Sequence, residues 1–247
     1  MPQLLAIDTS SAWCSVALSL DHQEPILRHE EVSAGASRLL LPWIDEVLMQ
    51  SHQSLASLDA IAIGIGPGAF TGVRLGVAAV QGLAFSADLP VIPVVSLDAI
   101  AAQVTKSAQF KKMHPQHFVV AIDARMDEIY WAKYRSNGMD CLPTRISEIH
   151  LSKPEGIDLH QADYLAGSAL KTYQGRLFGR YSLPAHACDG DIAISALGIL
   201  DCAKQLWAEN KQIPVTNLEP LYIRNKVALT TAEREANIGL GGDDVRA

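Results

Sequence analysis

The sequence predicts an α/β protein of two related lobes, each a mixed sheet with helices packed on it. Three observations carry this expectation. Residues 1–105 read as strand, strand, strand, helix, strand, helix, strand, helix. A related strand–turn–strand pattern restarts near residue 118, and both copies contain Ala-Ile-Asp, at Asp8 and at Asp123. The chain is 247 residues long and 49% hydrophobic, enough to bury a sizeable core in one large domain or two small lobes.

Each element has a local reason. "LLAIDT" is an apolar run closed by polar residues, which predicts a buried strand over 4–9, and "CSVALSL" alternates as its hairpin partner over 14–20. "PILRHEEV" predicts a more exposed third strand. In "SRLLLPWIDEVLMQS", Leu40, Ile44, Val47 and Leu48 recur at helical spacing, with Ser37 as the expected N-cap. Pro42 requires either a place in the first turn or a kink. "AIAIGI" predicts a strand, residues 71–86 a helix, "VIPVV" a strand, and "SLDAIAAQV" the start of another helix. The polar join "KSAQFKKMHPQH" closes a first lobe over 1–105. The second lobe, over 106–230, opens with "FVVAIDAR" and "EIYWAKYR", passes a Pro- and Gly-bearing middle, and continues with the strand "YLAGSA" and a helix over 192–208. Residues 231–247 are polar and Gly-rich and are expected to be disordered.

Composition narrows the function. The formal net charge is −7, so the chain is poorly suited to grip a phosphate backbone by itself. The cysteines Cys14, Cys141, Cys188 and Cys202 form no C-x-x-C pair, which argues against a zinc or redox motif. The N-terminus lacks a basic region before its apolar run, and no apolar run is expected to reach the roughly 18 residues of a membrane span. A cytoplasmic protein without a membrane partner is the expectation.

"GIGPGAFTGVRLG" is the most distinctive stretch. It lacks the Gly-Lys-Ser/Thr of a P-loop. It matches the loose dinucleotide pattern, but Asp88 precedes the next strand instead of closing it, and Pro67 removes a backbone donor. Its first glycines suit a strand-to-helix turn. The helix that follows carries only Arg74 and Gln81 as strongly polar residues between Val73 and Phe85, so it needs cover on most of its faces. Gly72, Gly76 and Val80 form a stripe at spacing four that lets another element come close, either within the domain or in a partner. At the first turn, Asp8, Thr9 and Ser10 offer groups to an anion, although the same residues favour a plain hairpin turn. Asp123, Arg125, Asp127 and Glu128 read as a solvated charged turn. His114 and His117 flank Pro115, which disfavours a shared helical metal face, and no H-E-x-x-H or G-x-S-x-G is present.

Together "LLAIDTSSAWCSVAL", "LLLPWIDEVL", "IAIGIGPGAFTGVRLGVAAVQGLA", "VIPVVSLDAIA", "VVAIDARMDEIYWAKY" and "LEPLYIRNKVAL" resemble the TsaB (YeaZ) family, over about residues 2–229 and most specifically over 64–84. The resemblance implies an actin-like/Hsp70-like (ASKHA) fold of two lobes with ribonuclease-H-like cores. It implies a subunit of the machinery that moves a threonylcarbamoyl group from threonylcarbamoyl-AMP to N6 of the adenosine beside the anticodon, in tRNAs reading codons that begin with A. The implied partners are the catalytic paralogue TsaD, the ATPase TsaE and a second copy of the chain, with tRNA engaged through the complex. No cofactor is implied for this chain, and ATP or ADP is implied at the complex interface.

The residues qualify what can be carried over. TsaD-type proteins hold a metal with His-x-x-x-His on the helix after the "VIPVV" strand, and those positions fall on Ser96 and Ile100, which cannot form that centre. Ser10 replaces a glycine of the family's phosphate turn, leaving at most weak nucleotide or anion contact at Asp8, Thr9 and Ser10. No catalytic or metal-binding residue is therefore expected. Pairing in relatives uses the two first-lobe helices, here over 39–49 and 71–85, so Leu40, Ile44, Gly72, Val73, Leu75, Gly76 and Val80 are the expected interface residues. The competing expectations are an autonomous ATPase or sugar-kinase-like enzyme of the same fold and a metallopeptidase.

Overall fold

A computed structural model describes residues 1–21, 23–32, 35–138, 141–179 and 181–223. The end expected to be disordered, 231–247, lies outside the described residues. The chain begins with β1 (Leu4–Asp8), β2 (Trp13–Ser19) and β3 (Ile26–Glu31), then α1 (Ala36–Gln50), β4 (Ala60–Gly64), α2 (Phe70–Ala87), β5 (Val91–Val94), α3 (Ser96–Val104) and α4 (Ala108–Met113). The later part forms β6 (His117–Arg125), β7 (Glu128–Arg135), β8 (Thr144–Arg145), β9 (His150–Ser152), β10 (Tyr164–Ala166), α5 (Ala169–Tyr173), β11 (Cys188–Asp189) and α6 (Ala196–Ala208).

The first sheet runs β3-β2-β1-β4-β5, with β1 antiparallel to β2 and parallel to β4. The second runs β11-β10-β6-β7-β8, and β9 also pairs with β7. Strand alternation sorts the side chains by size. Leu5, Ile7, Ile61 and Ile63 point toward α1 and α2, whereas Ala6, Ala17, Ala60 and Ala62 point toward the other sheet. The small residues let α6 lie close across β1, β2, β4 and β5. Gly198 of α6 sits so near α3 that an added methyl group would fall 2.4 Å from the Ala99 carbonyl oxygen. The layers are thus α1 and α2, the first sheet, α3 with α6, the second sheet, and then α5.

Two local expectations change. The N-cap of α1 is Gly35, so Ser37 lies inside the first turn. Pro42 is an interior residue of α1, where its missing N–H removes the i→i−4 hydrogen bond to the Arg38 carbonyl. In addition, α2 has 18 residues at a mean hydropathy of 1.2, which meets the length and composition of a membrane span, contrary to the sequence expectation. One of its faces is packed on the first sheet, through Val73, Val77, Val80 and Ala84.

The chain also returns to its beginning. After α6, Ile213 forms a two-hydrogen-bond bridge with Val91, at 2.9 and 2.8 Å, and Leu218 is buried in the α1–α2 core. The Leu221 N–H then donates to the Ile65 carbonyl at 2.8 Å. Residues 213–223 therefore run along the edge of the first sheet and α2.

Candidate functional site

Two features stand out: a cleft between the sheets and the outward face of α1 and α2. The cleft has a volume of about 610 Å³, within the usual range of ligand sites. Ile100, Ile122 and Ile194 give it an apolar lining, and Ser10, Ser96, Asp123 and Lys171 supply polar groups.

The first turn of the chain forms part of the cleft wall but is folded on itself. Asp8 is fully buried, and its carboxylate accepts from the Ser10 N–H at 3.1 Å and from the Ser10 hydroxyl at 2.8 Å. Burial is the dominant influence on this acid and pushes its pKa up to about 7, against the opposing pull of the two Ser10 bonds. Ser10 Oγ also lies 3.2 Å from Ser96 Oγ. Thr9 is 2% exposed and donates its hydroxyl to the Gly72 carbonyl at 2.7 Å. Of the three residues expected to contact an anion, only Ser10 lines the cleft. Asp8 and Thr9 are turned away into hydrogen bonds of the chain's own.

Asp123 repeats the arrangement at the end of β6. Its carboxylate accepts from the Arg125 N–H at 2.8 Å and from the Tyr173 hydroxyl at 3.0 Å. The β6–β7 turn is exposed at Arg125, Met126 and Asp127, as expected of a solvated charged turn; all three have positive φ, and Arg176 grips Asp127 through two nitrogens, at 2.5 and 3.0 Å. Ser96 and Ile100, the α3 positions matching the metal histidines of TsaD-type proteins, both line the cleft. Ile100 has no lone pair to offer a metal, and the Ser96 hydroxyl is already paired with Ser10.

A serine–histidine pair lies beside Asp8: Ser15 of β2 is the cross-strand partner of Asp8 on β1 and of His29 on β3. His29 Nδ1 is 3.0 Å from Ser15 Oγ, which also accepts from the Ala196 N–H at 2.8 Å. Ser15 is fully buried, so no peptide bond can reach it. Its role is to satisfy a backbone donor in the first turn of α6.

The glycines of α2 correct the expected interface. A methyl group on Gly72 would fall 1.9 Å from the Thr9 carbonyl oxygen, and one on Gly76 would fall 2.7 Å from Thr9 Oγ1 and 3.0 Å from Ile63 Cδ1. A methyl on Gly68 would likewise meet the Ser10 carbonyl oxygen at 2.2 Å. The stripe accommodates this chain's own first turn. Leu40, Ile44, Val73, Gly76 and Val80 are buried within the chain, and only Gly72 and Leu75 are partly exposed. The physical reason is helical phase. Residues at the apolar spacing that marks a helix are those facing its own sheet.

The outward side of the two helices carries exposed apolar residues that periodicity does not select, interspersed with the exposed Asp45, Glu46 and Arg74. Phe85 is 77% exposed, Met49 68% and Leu41 51%. Ala78 and Gly82 are exposed beside them in α2, and Gly82 has open space where a side chain would be. The signal is the apolarity of α2, broken between Val73 and Phe85 only by Arg74 and Gln81, which calls for cover beyond what one sheet gives.

Comparison with known proteins follows the same lines. Residues 29–228 match the family described as TsaD, tRNA N6-adenosine threonylcarbamoyltransferase. A Haemophilus influenzae protein named tRNA threonylcarbamoyladenosine biosynthesis protein TsaB is 38% identical, over 91% of this chain and 94% of its own. The Escherichia coli protein of that name is 35% identical over 92% and 96%. The solved structure of YeaZ from Pseudomonas aeruginosa superposes with a TM-score of 0.78 at 30% identity, covering 90% of this chain and all of that one. Another Pseudomonas aeruginosa structure, of a protein described as similar to the peptidase YeaZ, gives 0.78 at 32% identity.

Proposed function

Given that this chain belongs to the TsaB (YeaZ) family, has its ASKHA-like fold and takes part in tRNA threonylcarbamoyladenosine biosynthesis, we propose that it acts there as a non-catalytic subunit. Its partners in this reading are a TsaD-type catalytic paralogue and the ATPase TsaE, with tRNA engaged through the complex in the cytoplasm. The product is the threonylcarbamoyl group on N6 of the adenosine 3′ to the anticodon.

One observation carries the proposal: α1 and α2 leave Leu41, Met49, Ala78, Gly82 and Phe85 exposed, and Phe85 and Met49 are, with Met1, the most exposed large apolar side chains among the described residues. Exposed apolar patches of this kind mark protein–protein contact. The partner face is thus the outer side of the two helices, and a second copy of the chain uses the same side when the partner is absent. The cleft supports the non-catalytic part of the reading, since Ile100 and the paired Ser96 occupy the positions where a metal centre would be built. No resident cofactor is proposed for the chain itself, and an ATP or ADP at the subunit junction belongs to the complex.

Reconstitution tests the reading. Threonylcarbamoyl transfer to tRNA is followed with TsaD and TsaE, with this chain added or omitted. Transfer is expected to depend on the chain and to be absent with the chain alone. Activity from the chain alone, or transfer indifferent to it, overturns the assignment.

A further inference from the structure

We infer that residues 213–223 form a strap that couples the outward face of α2 to the cleft, so that a partner covering α2 loosens the cleft wall at Tyr222. This rests on the docking reading above and goes beyond it by linking the two surfaces.

The strap is held from three directions. At its start the Ile213–Val91 bridge ties it to β5. In its middle, Gln81 of α2 donates its side-chain N–H to the Leu218 carbonyl at 3.0 Å. At its end, Leu221 donates to Ile65 and Arg74 Nε donates to the Tyr222 hydroxyl at 3.1 Å. The Arg74 guanidinium also lies 3.8 Å above the centre of the Phe70 ring. Leu221, Tyr222 and Ile223 then line the cleft together with Phe70 and Val73.

Arg74 and Gln81 are the strongly polar side chains between Val73 and Phe85, and both hold the strap. Both are exposed, and Arg74 has no carboxylate partner among the described residues. A guanidinium on a contact face must find a charged or well-placed acceptor when it is desolvated. A phenol hydroxyl is a weaker acceptor for it than a carboxylate. A partner that lays an Asp or Glu against α2 therefore competes directly with Tyr222, and the aromatic end of the strap is released from Arg74. The Ile213–Val91 bridge and buried Leu218 keep the rest of the strap in place. The movable part is Tyr222 and Ile223, beyond the Leu221–Ile65 hydrogen bond, where the Phe70 ring, centred 6.1 Å from that of Tyr222, is the remaining ring contact.

Amide hydrogen exchange read by mass spectrometry tests this on the full chain. In the Arg74→Ala/Gln81→Ala double variant, which removes two hydrogen bonds to the strap, exchange in the peptide covering 219–223 is expected to rise by at least about fivefold, the equilibrium factor for losing one of them. An unchanged rate overturns the strap. Adding TsaD to the unmodified chain should slow exchange in α2 and speed it at 219–223. Protection at both places overturns the coupling while leaving the docking reading intact. If α2 stays unprotected, the docking reading falls and with it the proposed partner effect, and the double variant still decides whether α2 holds the strap.

Discussion

The Thr9 hydroxyl donates to the Gly72 carbonyl at 2.7 Å, and there is no room for even a methyl group between the two residues. The N-terminal turn and α2 are thereby locked across a separation of 63 residues. Gly72→Ala is expected to destabilise the chain by about 2–4 kcal/mol, because the obstructing atom is backbone and cannot swing away. Gly82→Ala, which meets open space, is expected to gain up to about 1 kcal/mol from helix propensity alone. Urea unfolding of both variants checks the contrast, and equal effects would contradict the packing described.

Asp8 makes the stability depend on pH in an unusual direction. Its folded pKa, about 7, lies above the ordinary value of 3.8. Between those values the folded chain holds a proton that the unfolded chain has lost, so stability falls as pH rises through this window and levels off above it. Asp8→Asn removes the effect. The variant should match the natural chain near pH 4 and exceed it at pH 8 by up to about 4 kcal/mol. Denaturation at the two pH values is the measurement, and a constant difference would refute the buried acid as its source.

Phe85→Asp and Met49→Asp should weaken both self-association and binding to TsaD while changing monomer stability by no more than about 0.5 kcal/mol, since both side chains are solvent-facing. Light scattering and co-purification report the first effect and thermal unfolding the second. Gly76→Arg is expected to behave differently. It drives a side chain into Thr9 and Ile63 and unfolds the lobe, so its loss of binding would say nothing about the interface.

Ser15→Ala leaves the Ala196 N–H buried without its acceptor and should cost about 1–3 kcal/mol. Because Ser15 lies on β2 and Ala196 opens α6, the loss should appear as easier opening of α6, seen as faster amide exchange over 196–203. Unchanged exchange there would remove Ser15 as its anchor.

The two hairpins were readable in advance because alternation and a polar turn are local signals, and Asp8 and Asp123 mark both. The strands β8, β9 and β11 carry no such signal, being only two or three residues long. The glycine stripe announced a close approach, but spacing along a helix cannot name the neighbour, and Thr9 lies far away in the chain. The same limit hid the strap, whose Arg74–Tyr222 bond spans 148 residues. Candidate interface residues were chosen by size and periodicity, and those criteria select the inner face of a helix. Exposed Phe85 and Met49 could be found only once the buried face was known.

The position of α6 bears on how the protein is made. The first four strands of the first sheet leave the ribosome early, yet the alanine-lined face of that sheet is covered by a helix that starts at Ala196. At about 5–20 residues per second, the sheet waits on the order of ten seconds for its cover. During that interval the nascent chain offers an open apolar surface, which makes the growing polypeptide a natural client for chaperones. A chain cut short before α6 should aggregate even though its leading strands are complete.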